Sequence, residues 1–186
     1  MIKGDFTYCI NLSQFNRDIR ILQEDHHGKG YTNHHDEIRR LAPECKSYRE
    51  LGVMQGATSA CAAVAGILDQ QLIDIEDYQW TPYKRLWDRF KGLNYVYHKK
   101  SSLIPEMANL PNVDLMLVDS VHNYNHVTQE LKIHAQTVNK YIIFHDTSLP
   151  TDQVHRAVND FCMTNSAWQE VARSQENVGY TLIKRI

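Results

Sequence analysis

The sequence has little of what would take it outside the ordinary globular class. No run approaches the roughly 20 consecutive apolar residues that a membrane-spanning helix needs, so no membrane association is expected. The opening MIKGDFTYCI has no continuous apolar stretch, and no signal peptide is expected. Cysteine is scarce: Cys9, Cys45, Cys61 and Cys162 stand apart, with no Cys-x-x-Cys spacing. That argues against a disulfide framework and for buried or free thiols in a reducing, cytoplasmic setting. An excess of one charge is missing too. Twenty basic residues against 22 acidic ones leave a formal charge of -2. This removes the electrostatic case for nucleic acid or an anionic membrane. The five prolines are spread out, and no linker, repeat or low-complexity tract marks a boundary.

What remains is a chain of 186 residues, 42% apolar and 23% charged. One domain over 1–186 is the default for that length. Such a chain can bury roughly 70% of its unfolded surface, so it needs no covalent staple. One residue is in excess. There are 10 histidines, four of them (His26, His27, His34, His35) in the first 35 residues, with His98, His122, His126, His134, His145 and His155 following later.

The first 46 residues read as a helical cap. Ser13 can cap a helix over 13–24, and the polar loop EDHHGKGYTN follows. A second helix is predicted over 33–41, ending before Pro43. From residue 47 to 186, strands and helices alternate. Strands are expected at 48–53, 71–75, 93–98, 113–118 and 141–144, with two short ones at 169–172 and 179–184. Between them lie an Ala-rich helix capped by Thr58 or Ser59 and a helix opened by Thr81-Pro82. Two more are marked by Val127, Leu131, Ala135 and Val138, and by Val154, Ala157, Val158 and Phe161. The alternation predicts an α/β, doubly wound sheet, mostly parallel, with helices on both faces. In such sheets a ligand sits outside the carboxyl ends of the strands, at the switch point.

Chemistry is therefore sought at the strand ends. The first strand runs into Glu50-Leu51-Gly52-Val53-Met54-Gln55-Gly56-Ala57-Thr58-Ser59. Gly52 and Gly56 permit a tight turn before a helix whose first N–H groups are unspent. Asp74 follows Gly52 by 22 residues, a distance at which an acid can accept from ribose hydroxyls. Asp119 ends the fourth strand and His145-Asp146 the fifth, with His122 and Tyr124 just after Asp119. One crossover helix separates those strands, so two carboxylates and two imidazoles should meet in one cleft. Such a group can bind a divalent metal or supply a general base, and His122 is the natural base.

These segments resemble the class I S-adenosylmethionine-dependent methyltransferases, in the branch of small O-methyltransferases and cephalosporin-hydroxylase-like proteins. ELGVMQGATS resembles the first motif, E-x-G-x-x-x-G-x-[ST], and LIDIED the second. VDLMLVDSVHNYNHVTQEL resembles the fourth-strand pattern that closes in D-G-x-H-x-Y, with Ser120 in place of the glycine. KYIIFHDT resembles the fifth-strand ending, and GYTLIKR the final antiparallel strand. Together they span residues 47 to 186. The resemblance implies a Rossmann-like methyltransferase fold with seven strands, the last antiparallel. It implies S-adenosyl-L-methionine as cofactor, with Glu50, Gly52 and Gly56 along its methionine part, Val53 and Thr58 beside them, and Asp74 and Ile75 at the ribose. An acid is often found near the adenine after the third strand. Here the sequence reads Lys100-Ser101-Ser102, and Ser101 is the substitute. Asp119 borders the cofactor as well.

Metal-dependent relatives in this group place acids where Asp119 and Asp146 stand. This implies a divalent metal such as Mg there, with Asp119, His122, His145 and Asp146 as the catalytic set. The expected activity is methylation of an oxygen of a small molecule or sugar, the small-molecule acceptor being the partner. A homo-oligomer is compatible with the sequence. Two rivals remain: an NAD(P)-type oxidoreductase using the same turn and Asp74, and a degenerate, non-catalytic interaction domain. Taken singly, His26-His27 and His34-His35 read as solvated pairs; as a group on the N-terminal cap they could face the histidines of the sheet across the cleft. Trp80, Trp87 and Trp168 read as packing residues. Tyr78 is placed either at the adenine or on an exposed loop.

Overall fold

The computed structural model describes residues 33–54, 56–76, 92–151 and 153–186. The expected helix over 13–24, His26, His27, Tyr78, Trp80, Trp87 and the Thr81-Pro82 helix lie outside the described residues.

The chain forms α1 (Asn33–Leu41), β1 (Ser47–Leu51), α2 (Ala57–Val64), β2 (Asp69–Asp74) and β3 (Asn94–Lys99). Then come β4 (Val113–Val118), α3 (Tyr124–His134), β5 (Val138–His145), α4 (Gln153–Thr164), β6 (Trp168–Ser174) and β7 (Tyr180–Arg185). All seven strands make one sheet in the order β3-β2-β1-β4-β5-β7-β6. The first five strands pair in parallel, and β7 runs antiparallel to both β5 and β6. The order reverses between β1 and β4, which places the switch point there. The expected doubly wound sheet with a reversed final strand is therefore what the chain builds.

The central strands explain why the sheet is covered on both faces. β4, VDLMLV, is buried at every position. Its side chains alternate: Leu115 and Leu117 join Ile38, Leu41, Ala60 and Leu72 under α1 and α2. Met116 and Val118 join Val127, Leu131, Val154 and Val158 under α3 and α4. Each such Leu, Ile, Val or Met side chain contributes roughly 1.5–3 kcal/mol by leaving water. Cys45 and Cys61 are buried, as is Trp168, which packs near Phe161.

Several boundaries differ from the sequence reading. β5 begins at Val138, because Val138 is core rather than the end of a helix. α2 begins at Ala57 after Gly56, with no side-chain cap. Gly56 supplies the turn itself, at φ 80°, and neither Thr58 nor Ser59 caps the helix, since both lie inside it. α3 keeps a side-chain cap, with the His126 amide donating to Asn123 Oδ1 at 2.9 Å. One interior charge was not anticipated. Arg49 on β1 is fully buried and donates to Gln71 Oε1, Thr137 Oγ1 and the Pro111 carbonyl. Burial lowers its pKa to about 10, which still leaves it charged at neutral pH. Among the described residues, no helix is long and apolar enough to cross a membrane.

Candidate functional site

A cavity of about 620 Å3 opens at the switch point. Of the residues assigned to the site from the sequence, all but Gly56 line it.

The β1 end is built from backbone. Gly52 donates its amide to the Ile73 carbonyl at 2.9 Å, and Asp119 donates its amide to the Leu51 carbonyl at 2.8 Å. The turn is thus stitched to both neighbouring strands. Gly52 sits at φ +87°, and a Cβ there would lie 2.2 Å from the Asp119 carbonyl oxygen. Only glycine fits. Asp74 straps the same turn: its Oδ2 accepts from the Met54 amide at 2.7 Å and its Oδ1 from the Glu76 amide at 3.0 Å. Each oxygen keeps lone-pair capacity for a ligand. Glu50 is almost fully buried, and its Oε2 accepts from Ser59 at 2.6 Å and Tyr48 at 3.0 Å. Burial outweighs those bonds and raises its pKa to about 8.

The β4 and β5 ends are built from side chains. His122 Nε2 lies 3.2 Å from Asp119 Oδ1, and its Nδ1 lies 2.9 Å from Asp146 Oδ2. His145 Nδ1 lies 3.2 Å from Asp119 Oδ1 and 3.3 Å from Asp146 Oδ1. Asp146 holds φ +58°, an unusual conformation for a non-glycine residue at the edge of the cavity. Burial pushes the Asp119 pKa up, but His145 and His122 win and hold it well below the usual carboxylate range. Burial works equally against His122, yet Asp119 and Asp146 push it up to about 10. His122 is therefore an imidazolium at neutral pH. His145 is raised for the same reason, against its burial. Asp119, His145 and Asp146 also offer one ligand atom each, all within 4.8 Å of one another, a spacing that could hold a metal ion.

His34 and His35 are not solvated, and His34 faces a histidine of the sheet, as the grouping of histidines in the sequence allowed. His34 is 3% exposed and His35 2%. Both Nε2 atoms meet Thr58 Oγ1 on α2, at 3.2 and 3.0 Å. The His34 ring also packs on the His145 ring, centroids 4.3 Å apart. Burial, with His35 and His145 adding to it, lowers the His34 pKa well below its ordinary value. The signal was present: His34, Ile38 and Leu41 fall at i, i+4, i+7, an inward helical face.

The wall at the β3 and β4 ends carries Ser101, Ser102, Ser120 and His126. Ser101 Oγ accepts from the Leu103 amide at 3.2 Å. Ser102 and Ser120 both donate to Glu130 Oε1 at 2.6 Å. Sequence reasoning missed Glu130 altogether. It lies on α3 one turn past His126, within an ordinary amphipathic pattern, and only the spacing of His126, Glu130 and His134 at i, i+4, i+8 hinted at a polar seam.

Comparison with known proteins adds to this geometry. No protein-family model matches the chain, and no curated protein matches it. Solved structures do. A methyltransferase from Geobacter sulfurreducens superposes with a TM-score of 0.67 at 13% identity, covering 100% of this chain and 93% of that one. A candidate caffeoyl-CoA O-methyltransferase from Staphylococcus aureus gives 0.66 at 14% identity, covering 97% and 98%. A candidate O-methyltransferase from Klebsiella pneumoniae gives 0.66 at 13%, covering 100% and 92%. The fold is that of the class I methyltransferases.

In this methyltransferase fold the residues present suit S-adenosylmethionine. The cavity volume lies within the usual range for ligands of that size. Asp74 can take two ribose hydroxyls. The first turn of α2, with Ala57 and Thr58 on the cavity, presents its positive end to a carboxylate. The Asp119–His145–Asp146 donor set is oxygen- and imidazole-based, which suits a divalent cation.

Proposed function

We propose that the protein is an S-adenosylmethionine-dependent methyltransferase that methylates an oxygen of a small molecule or sugar. One observation carries the reading. The glycine turn after β1, the acid ending β2 and the Asp–His cluster ending β4 and β5 share one cavity at the switch point of a methyltransferase sheet. The names of two structural neighbours, both candidate O-methyltransferases, support oxygen as the accepting atom.

S-adenosylmethionine brings a methyl group already activated on a sulfonium, so the chain's own work is alignment and electrostatics. Glu50, Gly52, Val53 and Thr58 border its methionine part, Asp74 and Ile75 the ribose, and Ser101 the base. A divalent cation such as Mg, held by Asp119 and Asp146 with His145 beside them, would lower the pKa of an acceptor hydroxyl. His122 ties the two carboxylates together and has no lone pair to offer while it is charged. His34 is the imidazole that burial keeps neutral. Its buried Nδ1 has no hydrogen-bond partner among the described residues, so it can accept the acceptor's proton.

Calorimetry with S-adenosylhomocysteine and with NAD tests the reading. The first should bind and the second should not. Binding of NAD alone would make the protein an oxidoreductase, and binding of neither would make it an interaction domain.

A further inference from the structure

We propose that Glu130 fixes the hydrogen-bond polarity of the cavity wall made by Ser102 and Ser120, so that this wall takes an amino donor and rejects a carbonyl. Resting on the reading of the site as one for S-adenosylmethionine, this makes Glu130 the positioning residue that selects a 6-aminopurine.

Glu130 is 0% exposed and does not line the cavity, but three of its neighbours do: Ser102, Ser120 and His126. A carboxylate only accepts hydrogen bonds, and a hydroxyl has a single proton to give. Ser102 and Ser120 each spend that proton on Glu130 Oε1, at 2.6 Å. What these hydroxyls can still present to a ligand is lone pairs. His126 Nε2 lies 3.3 Å from the same oxygen. That contact is a charge-pair distance and not a hydrogen bond, so the two serines carry the polarity of this wall. Glu130 Oε2 is buried with no hydrogen-bond partner among the described residues, so the hydrogen bonds of this carboxylate are those that the two serines give to Oε1.

The ligand's layout brings its base to this wall. With the ribose at Asp74 and the methionine part at the start of α2, the base is left with the side of Ser101, Ser102 and Ser120. An adenine 6-amino group donates to an acceptor-only wall. A 6-oxo group would meet lone pairs and leave buried polar atoms unpaired, which costs roughly tenfold to a hundredfold in affinity. The acid missing after β3 is thereby replaced from α3, acting through two hydroxyls.

The experiment is calorimetry on the full chain with S-adenosylhomocysteine and its 6-oxo counterpart, S-inosylhomocysteine. The 6-amino ligand should bind at least about tenfold more tightly. In Glu130→Gln the new amide N–H donates to one serine, whose own proton can then turn to the cavity. The preference should fall by about tenfold or vanish, in a protein shown by circular dichroism to be folded. If Glu130→Gln does not fold, Ser120→Ala must lower the same preference. Equal binding of the two ligands to the wild type overturns the proposal while leaving the cofactor reading intact, as does an unchanged preference in a folded variant. Binding of neither ligand overturns the cofactor reading, and the proposal with it.

Discussion

The two ends of the cavity are made of different materials. At β1 and β2 the wall is backbone: a positive-φ glycine, amides given to Ile73 and Asp74, and a helix start. At β4 and β5 it is side chain: two carboxylates and two imidazoles in mutual contact. A turn of backbone tolerates almost no added atom and carries no titrating group of its own, although Glu50 beside it has its pKa raised to about 8. A wall of ionised side chains keeps its shape through many substitutions but changes its chemistry with each. The first suits a cofactor gripped the same way every turnover, and the second suits the step at which charge moves.

The comparison breaks most readily at Gly52. In Gly52→Ala the new Cβ would meet the Asp119 carbonyl at 2.2 Å in a left-handed conformation. The expected loss is about 3 kcal/mol or more. In a chain of this length that lowers the Tm by about 10 °C. S-adenosylhomocysteine binding should be lost as well. A melt within 2 °C of wild type, or retained binding, would show that the turn yields (about 2 °C being the effect of less than 1 kcal/mol).

The side-chain end should respond in the opposite way. Asp146→Asn keeps the shape but removes one of the charges holding His122. Methyl transfer should fall about a hundredfold, a loss typical of one electrostatic group, while S-adenosylhomocysteine affinity holds. Equal losses in turnover and affinity would mean that the two ends are not separable. His34→Gln sharpens the same contrast. It removes the neutral imidazole packed on His145, and kcat should drop between about tenfold and a hundredfold, the low end of general-base effects. Unchanged kcat would take the proton-accepting role away from His34.

The contrast also explains what was legible in the sequence. Strands with continuous apolar runs were plain, and Val113–Val118 matches its expected bounds. So was the backbone wall, because glycine at a turn leaves few readings open. The side-chain wall was legible only at strand ends, where Asp119, His145 and Asp146 had no packing role to mask them. Residues on helices were not. His34 and His35 sit among charged neighbours in NHHDEIRRL, and burial against α2 is a tertiary fact. Glu130 occupies a helical position that any solvated acid would fill, and its partners Ser102 and Ser120 lie 28 and 10 residues away. Contacts of that kind depend on the crossovers being in place: a local period can show that a helical face turns inward, but not what it meets there.

The smallest expected effect concerns pH. The folded-state pKa of His122, about 10, stands above its ordinary 6.5. A raised pKa means that its stabilisation is complete below about pH 6.5 and fades as the pH rises toward 10. Glu50, raised to about 8 by burial, weakens the fold in the same direction, but over the window from its ordinary 4.5 up to about 8. The two are separated by comparing wild type with His122→Gln, which share every other group. The side chain of His122 is about a third exposed, so solvent screening limits what the pairs contribute. Wild type should melt roughly 2–4 °C above the variant at pH 6.5, the effect of about 1 kcal/mol in a chain of this size. By pH 10 most of that advantage should be gone, with half of it lost near the middle of the window. An advantage constant between pH 6.5 and 10 would mean that His122 holds the two carboxylates by packing alone, and that its charge adds nothing to the side-chain wall.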